Sequence, residues 1–420
     1  MDFEAGSEVE GLLERVRSFM DEHIYPREAE LHQAIDDEVK AGVAYPVELE
    51  QIREKAKSEG LWNLFLPDEH YGAGLNNWQY AFLCEEMGRS PLVAPMAFNS
   101  AAPDTGNMEI LLEHGNDEQK AKYLAPLTDG EIRSCFSMTE PDTAGSDPTG
   151  LRAKAELVDG EWVINGHKWF TSGAVGAEFA IAMVNTEESD NPYANASMIL
   201  VPLDAPGFNL VRPVPVMGHS KGPGHCEILY EDCRVPEENL LGARGAGFLI
   251  AQDRLGPGRI HHCMRAIGTA ERALEMMCLR AADREAFGGP LADKQFVQDF
   301  IARSRMEIDQ ARLLSLNAAW MMDTVGKHAA RQEISMIKVV AANMVMDVLD
   351  RALQVHGALG MSDDTPLAAM WRYSRMLKLA DGPDEVHKMT IARRELKKYD
   401  PNFHMSPQPG DHDPQVFQRP

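Results

Sequence analysis

Apolar positions fall along this chain in three successive patterns. Up to about residue 130 they recur at helical spacing, in segments near 7–33, 46–59, 75–89, 93–114 and 117–124. Tyr45-Pro46, Pro67, Gly72-Ala73-Gly74 and Pro91 punctuate these segments. In the first, Val9, Leu12, Leu13, Val16 and Phe19 form one apolar face. From Glu131 to Gly242 the pattern becomes short and alternating: IRSCFSM, EWVINGHKWF, FAIAMV, SMILVPL and CEILYEDCRV predict strands. Asp159-Gly160 and Asn165-Gly166 predict tight turns between strands. After LLGARGAGF helical spacing returns, over 258–283, 293–324, 328–357, 365–379 and 383–398. Val297, Phe300, Ile301, Ile308, Ala311 and Leu314 mark one face of the second of these helices, and a four-helix bundle buries such faces. The predicted class is α+β. A helical domain covers 1–130, an antiparallel β domain (barrel or sandwich) 131–244, a helical bundle 245–400, and an extended Pro-rich tail 401–420.

Charge narrows the partners. The 420 residues hold 65 acidic against 41 basic side chains, a net charge of −24. That field repels phosphate backbones, so no nucleic acid is expected, and an anionic ligand needs local basic residues. The six cysteines form no CxxC pair, which suits a reducing compartment without disulfides. His219, His225 and Cys226 lie close in sequence, but no metal site is expected there. The N-terminus is acidic and amphipathic, unlike a secretory signal or an Arg-rich transit peptide, and no run is long enough to span a membrane. A cytoplasmic location is expected.

Three stretches carry candidate chemistry. SCFSMTEPDTAGSD, from Ser134, takes a strand into a loop of hydroxyls and glycine that can offer N–H groups to a polar ring edge or a phosphate. WVINGHKWFTSGA ends on an aromatic and Ser172, able to cover a planar cofactor and to donate a hydrogen bond to it. WRYSRMLKLADGPDEVHKMTIAR, from Trp371, ends a basic helix at Leu379-Ala380, turns at Asp381-Gly382 and restarts at Pro383. Read alone, Asp381 is a turn residue, Arg284 a solvated charge, and Gln354 a helix-end polar group.

Taken together, the ordered set resembles the acyl-CoA dehydrogenase flavoprotein family over about 7–399. Its pieces are YLAPLTDGE, MTEP…AGSD, INGHKWFTSGA, EDCRVPEENLLGARGAGF, REAFG with Gln295 downstream, QVHGALG and ADGPDEVH. The loop of TEPDTAGSD, one residue longer than usual, and the ADGPDEVH string look most like the branch of family members ten and eleven. The resemblance implies FAD, with Phe136, Met138 and Thr139 along the flavin edge and Gly145 and Ser146 facing the diphosphate and the CoA arm. Phe170 would stack near the ring, and Ser172 would reach its reactive nitrogen. Arg284, Phe287, Gln295, Gln354 and Gly357 would meet the FAD of a neighbouring subunit in a homodimer or homotetramer. Arg259 and Gly382 would lie by the substrate, and Met87, Met96, Phe98 and Asn99 are candidates for the acyl pocket.

The implied reaction is α,β-dehydrogenation of an acyl-CoA in fatty-acid β-oxidation, with electrons passing to an electron-transfer flavoprotein. It needs a base at the α-proton and donors on the thioester carbonyl. The family usually places a Glu where this chain has Asp381. The other position used within the family is here Gly258, which cannot abstract a proton. Asp381 is therefore the expected base, with a pKa raised by burial from an ordinary value of about 3.9. Its N–H would donate to the thioester carbonyl. An oxidase of the same fold, similar to nitroalkane oxidases, is the alternative that an Asp base leaves open. A flavin-bearing scaffold like the family's DNA-associated relatives is disfavoured by the charge.

Overall fold

A computed structural model describes residues 5–43, 45–217, 224–400 and 403. His219 and the tail beyond 403 therefore lie outside the described residues. The N-terminal unit comprises α1 (Ser7–Phe19), α2 (Glu28–Lys40), α3 (Val47–Ser58), α4 (Asn77–Gly88), α5 (Ala94–Ala97), α6 (Asp104–His114), α7 (Asp117–Gln119) and α8 (Ala125–Asp129). Val9, Val16 and Phe19 are buried as the spacing predicts, and Leu12 and Leu13 pack at the edge of the core. α1 and α2 form one run that extends past the predicted end, through a π turn at Met20–Ile24 and a 3-10 turn at Tyr25–Arg27. Pro26 is tolerated because it opens a new turn, where its missing N–H costs little. α4 starts on a capping box: Asn76 Oδ1 accepts from Gln79 N at 2.9 Å, and Gln79 Oε1 accepts from Asn76 N at 3.0 Å.

The middle unit is an eight-stranded sheet. Its strands are β1 (Ser134–Ser137), β2 (Lys154–Val158), β3 (Glu161–Ser172), β4 (Phe179–Asn185), β5 (Ala196–Pro202), β6 (Phe208–Pro213), β7 (His225–Pro236) and β8 (Leu240–Leu241). The order is β6-β7-β3-β1-β4-β5-β8, with β2 paired to both β3 and β4. Pairing is antiparallel except where β4 runs parallel to β1 and meets β2 at one residue pair. Asp159-Gly160 makes the predicted turn, with φ of 53° and 81°, and sets Val158 opposite Glu161. Asn165-Gly166 does not turn. β3 runs through it, with a register shift against β7 between Ile164 and Gly166. Glycine serves close packing here, since a Cβ on Gly166 would lie 2.3 Å from the Ala153 Cβ.

The third unit holds α9 (Gly247–Asp283), α10 (Gln295–Val325), α11 (Arg331–His356), α12 (Ala358–Met361), α13 (Leu367–Arg375) and α14 (Asp384–Tyr399). α9 begins at Gly247 rather than at 258 and carries Pro257 in its interior. A proline that reads as a boundary is here bridged, at the loss of one backbone bond, because α9 is buried against α4, α6, α10 and α11. α4 and α9 touch backbone to backbone: a Cβ on Gly88 would lie 2.3 Å from the Arg265 carbonyl oxygen, and one on Gly268 1.8 Å from that of Glu85. Asp323 of α10 caps α4, accepting from Asn77 N at 3.2 Å and Trp78 N at 2.8 Å. Among the described residues no helix is long and apolar enough to cross a membrane.

Candidate active site

Asp381 sits between α13 and α14 with φ of +55°, followed by Gly382 at +95°. Left-handed backbone is uncommon for a residue with a side chain, and Asp tolerates it better than most. Glycine suits position 382 on a second count, because a Cβ there would crowd His387 Nε2 at 3.0 Å. The Asp381 carbonyl accepts from Arg259 Nε at 3.0 Å and from His387 Nε2 at 3.2 Å. A carbonyl only accepts, so His387 carries its proton on Nε2. The Asp381 N–H finds no main-chain acceptor among the described residues.

The carboxylate is held from α9. His262 Nε2 lies 3.2 Å from Asp381 Oδ2, and Arg265 Nη2 lies 3.1 Å from His262 Nδ1. Arg265 can only donate, so Nδ1 accepts and Nε2 carries the proton that faces Asp381. Burial pushes the Asp381 carboxyl up. The His262 hydrogen bond, with the positive charge around it from His262, Arg254 and Arg259, outweighs burial and holds the group well below the usual carboxylate range. Burial drives His262 towards its neutral form, so the two guanidinium groups supply the lasting charge. The pocket itself thus lowers the pKa, against the rise expected from burial.

A second half of the site lies on the sheet. Phe136 of β1 pairs with Ser172 of β3, which pairs with His225 of β7. Lys168, fully buried, holds this region in place: its ammonium donates at 2.8 Å to Glu140 Oε1 and to the Met138 and Met183 carbonyls. Glu140 also accepts from Arg152 N at 2.7 Å and Ala153 N at 2.9 Å. Burial pushes Lys168 down to about 8 despite the opposing pull of Glu140. Trp169 N donates to the Thr139 carbonyl at 2.9 Å, and a Cβ on Gly145 would lie 3.0 Å from Thr139 Cγ2. Met138, Thr139, Gly145 and Phe170 are thereby gathered at the end of β3. Ser146 is exposed at the tip of a turn closed by Asp147 N on the Ala144 carbonyl.

These residues fit a flavin. Phe170 is 42% exposed, the Trp169 indole N–H is buried without a partner among the described residues, and the turn at Gly145 and Ser146 leaves backbone open to a phosphate. Arg254 joins the two halves. Its guanidinium lies 4.2 Å from the Phe136 ring centroid, its Nε donates to Asn107 Oδ1 at 3.2 Å, and its charge acts on Asp381.

Arg284, Phe287, Gln295, Gln354 and Gly357 are exposed, at the end of α9, the start of α10 and the end of α11. Arg351 of α11 reaches Ser304 Oγ of α10 at 3.1 Å, which sets the end of α11 beside the start of α10 and gathers the five at one end of the bundle. The acyl-pocket candidates are committed inside the N-terminal unit. Met87, Phe98 and Asn99 are buried, Phe98 packs on Phe19, and Asn99 donates to Asn63 Oδ1 at 2.7 Å.

Sequence reading passed over Arg254, His262, Arg265 and Glu109. A signal exists in RLGPGRIHHCMR, a basic cluster on an apolar helix of an acidic chain, with His262 and Arg265 one turn apart. Glu109 on α6 leaves no such trace. Burial and Glu113 push its carboxyl up to about 8 against Arg254 and Arg265, and its Oε2 has no partner among the described residues.

Residues 6–131, 135–233 and 245–396 match the N-terminal, middle and C-terminal domains of acyl-CoA dehydrogenase. The chain is 50% identical over 399 residues to acyl-CoA dehydrogenase family member 10 of Mus musculus, covering 93% of this chain and 37% of that protein. It is 49% identical over 405 residues to the Mycobacterium tuberculosis protein named "Probable acyl-CoA dehydrogenase FadE2", covering 96% and 99%. Against family member 11 of Gallus gallus it is 48% identical, covering 92% of this chain and 50% of that one. The chain thus spans half or less of the two animal relatives. A solved acyl-CoA dehydrogenase-family chain from Mycobacterium abscessus superposes with a TM-score of 0.89 at 46% identity, covering 94% and 99%. Butyryl-CoA dehydrogenase from Megasphaera elsdenii follows at 0.79 and 26%, covering 94% and 100%. Three domains matched in order, on a fold shared throughout, place this chain in the acyl-CoA dehydrogenase family of FAD-dependent oxidoreductases, beside members ten and eleven.

Proposed function

We propose that this chain catalyses α,β-dehydrogenation of an acyl-CoA thioester to the trans-2-enoyl-CoA, with Asp381 removing the α-proton. The observation that carries this reading is the turn itself. Arg259 and His387 clamp the Asp381 carbonyl, the carboxylate is kept ionised, and the adjacent N–H, which has no main-chain acceptor among the described residues, could donate to a thioester carbonyl. FAD, when bound, supplies the hydride acceptor. Phe136, Met138, Thr139, Phe170 and Ser172 would face its ring, Gly145 and Ser146 its diphosphate, and Ser146, Arg259 and Gly382 the substrate. Arg284, Phe287, Gln295, Gln354 and Gly357 would hold the FAD of a neighbouring subunit in a homodimer or homotetramer. The exposure of Phe287 (99%) and Phe296 (83%) at that end of the bundle supports such a neighbour. Electrons would pass to an electron-transfer flavoprotein. A chain at TM-score 0.81 and 28% identity comes from work on the electron transferring flavoprotein of Acidaminococcus fermentans.

The test is anaerobic mixing of FAD-loaded protein with a panel of acyl-CoAs and nitroalkanes while the flavin band is followed. An acyl-CoA should bleach the wild type, and Asp381→Ala should be slower by about 10²-fold or more, as for loss of a general base. Bleaching by nitroalkanes alone transfers the reading to an oxidase. Equal rates in the variant return Asp381 to a turn residue.

A further inference from the structure

His225 was singled out by the sequence only for its closeness to Cys226, and the proposed reaction gives it no part. Its place in the sheet does. Phe136, Ser172 and His225 form one row across β1, β3 and β7, and directly opposed residues project to the same face. The next row, Ser137, Thr171 and Cys226, is fully buried on the other face, where the two hydroxyls lie 3.3 Å apart. The Phe136 row is only partly covered. In it the Ser172 hydroxyl lies 2.7 Å from His225 Nδ1 and 3.4 Å from the Phe170 carbonyl, and the His225 ring stands 6.1 Å from that of Phe170. Burial pushes the imidazole below its ordinary pKa, which keeps it neutral near pH 7.

A neutral imidazole offers Nδ1 as donor in one tautomer and as acceptor in the other. When Nδ1–H donates, the Ser172 proton is free to point at a third group. When Nδ1 accepts, that proton is taken up and Ser172 offers a lone pair. The hydride-accepting nitrogen of a flavin asks for both. It accepts a hydrogen bond when oxidised and carries a hydrogen when reduced. A serine tied to a fixed acceptor would match one state only.

We propose that His225 is a positioning residue of the cofactor site, directing the Ser172 hydroxyl so that it donates to the oxidised flavin nitrogen and accepts from the reduced one. This rests on the proposed placement of Ser172 at that nitrogen and adds the residue that lets one hydroxyl serve both redox states.

The test measures the midpoint potential of bound FAD in the full chain by equilibration with a reference dye, which needs no acyl-CoA. His225→Leu and Ser172→Ala should each shift the oxidised-to-reduced ratio about tenfold, about 30 mV for a two-electron couple. The double variant should shift it no further than either single variant, because both break one contact. His225→Asn, whose amide stands where Nδ1 stood, should recover most of the shift. An unchanged potential in His225→Leu, additive shifts in the double variant, or weakened FAD retention without a potential change would each overturn the proposal. If His225→Leu fails to fold, His225→Phe takes its place under the same criteria. Acyl-CoA reduction of the wild type is scored separately. Failure there with the dye-measured shift intact sinks the dehydrogenase reading alone, while its success with no shift sinks this inference alone.

Discussion

Asp381 and Glu109 are two partly buried carboxyl groups that feel the charge of the same arginine, and they go opposite ways. Arg254 pulls on both. Asp381 also has a hydrogen bond from His262 and the charge of Arg259, and it stays ionised. Glu109 has an oxygen without a partner among the described residues and the repulsion of Glu113, and its carboxyl is pushed up to about 8. Burial raises both groups, so burial does not decide their fate. The decision falls to directed donors, which Asp381 has and Glu109 lacks. One fold thus keeps an ionised carboxylate at the proposed reaction centre and a protonated one on the neighbouring helix.

Removing the shared cation should break this contrast most severely. Arg254→Leu strips a charge from Asp381, a donor from Asn107 and a partner from the Phe136 ring. Flavin reduction by acyl-CoA should slow by about 10²-fold, the rate equivalent of losing about 3 kcal/mol of transition-state stabilisation. Stopped-flow absorbance measures it, and a rate within twofold of wild type would mean that the charge is not felt at the site.

His262→Phe should sharpen the contrast by removing only the directed donor. Its bond favours the ionised form, so its loss raises the Asp381 pKa, and activity should fail at a higher pH as acid is added. The acid limb of the reduction rate should move up by about one unit, near tenfold in proton affinity. An acid limb that stays in place would show that the arginines suffice.

Glu109→Gln should have the smallest effect on rate, because a protonated Glu and a Gln are alike at pH 7. Its signature lies in stability. The folded Glu109 holds its proton up to about 8, whereas the unfolded group releases it at about 4.3. Between those values the unfolded state binds fewer protons, so wild-type stability falls as pH rises. The melting temperature of the variant should match wild type near pH 5 and exceed it by several degrees at pH 8. A constant difference across that range would show that Glu109 ionises normally.

The domain order, the Asp159-Gly160 hairpin and the turn at Asp381 were legible because each is written in neighbouring residues. Pro257 and Asn165-Gly166 misled for the same reason. Local rules make one a boundary and the other a turn, but burial of α9 and the close packing of Gly166 on Ala153 override them. The surroundings of Asp381 were illegible on another ground. Arg259 meets it across 122 residues, and neither helical nor strand periodicity carries information over that separation. The Lys168–Glu140 pair is of the same kind: one charge lies in a strand and one in a loop, and nothing in their local sequence joins them until the fold brings them to 2.8 Å.

The seam between α4 and the bundle bears on how the molecule comes apart. Asp323 caps a helix of another domain, and Gly88 and Gly268 bring two domains into main-chain contact. Melting α10 strips α4 of its cap, and melting α4 opens the close main-chain packing on α9. The first and last thirds of the chain should therefore unfold in a single cooperative transition, although the β domain separates them in sequence. Cutting the chain at its domain boundaries would yield fragments that each lack part of their own stabilisation, and the two would regain it only on recombining.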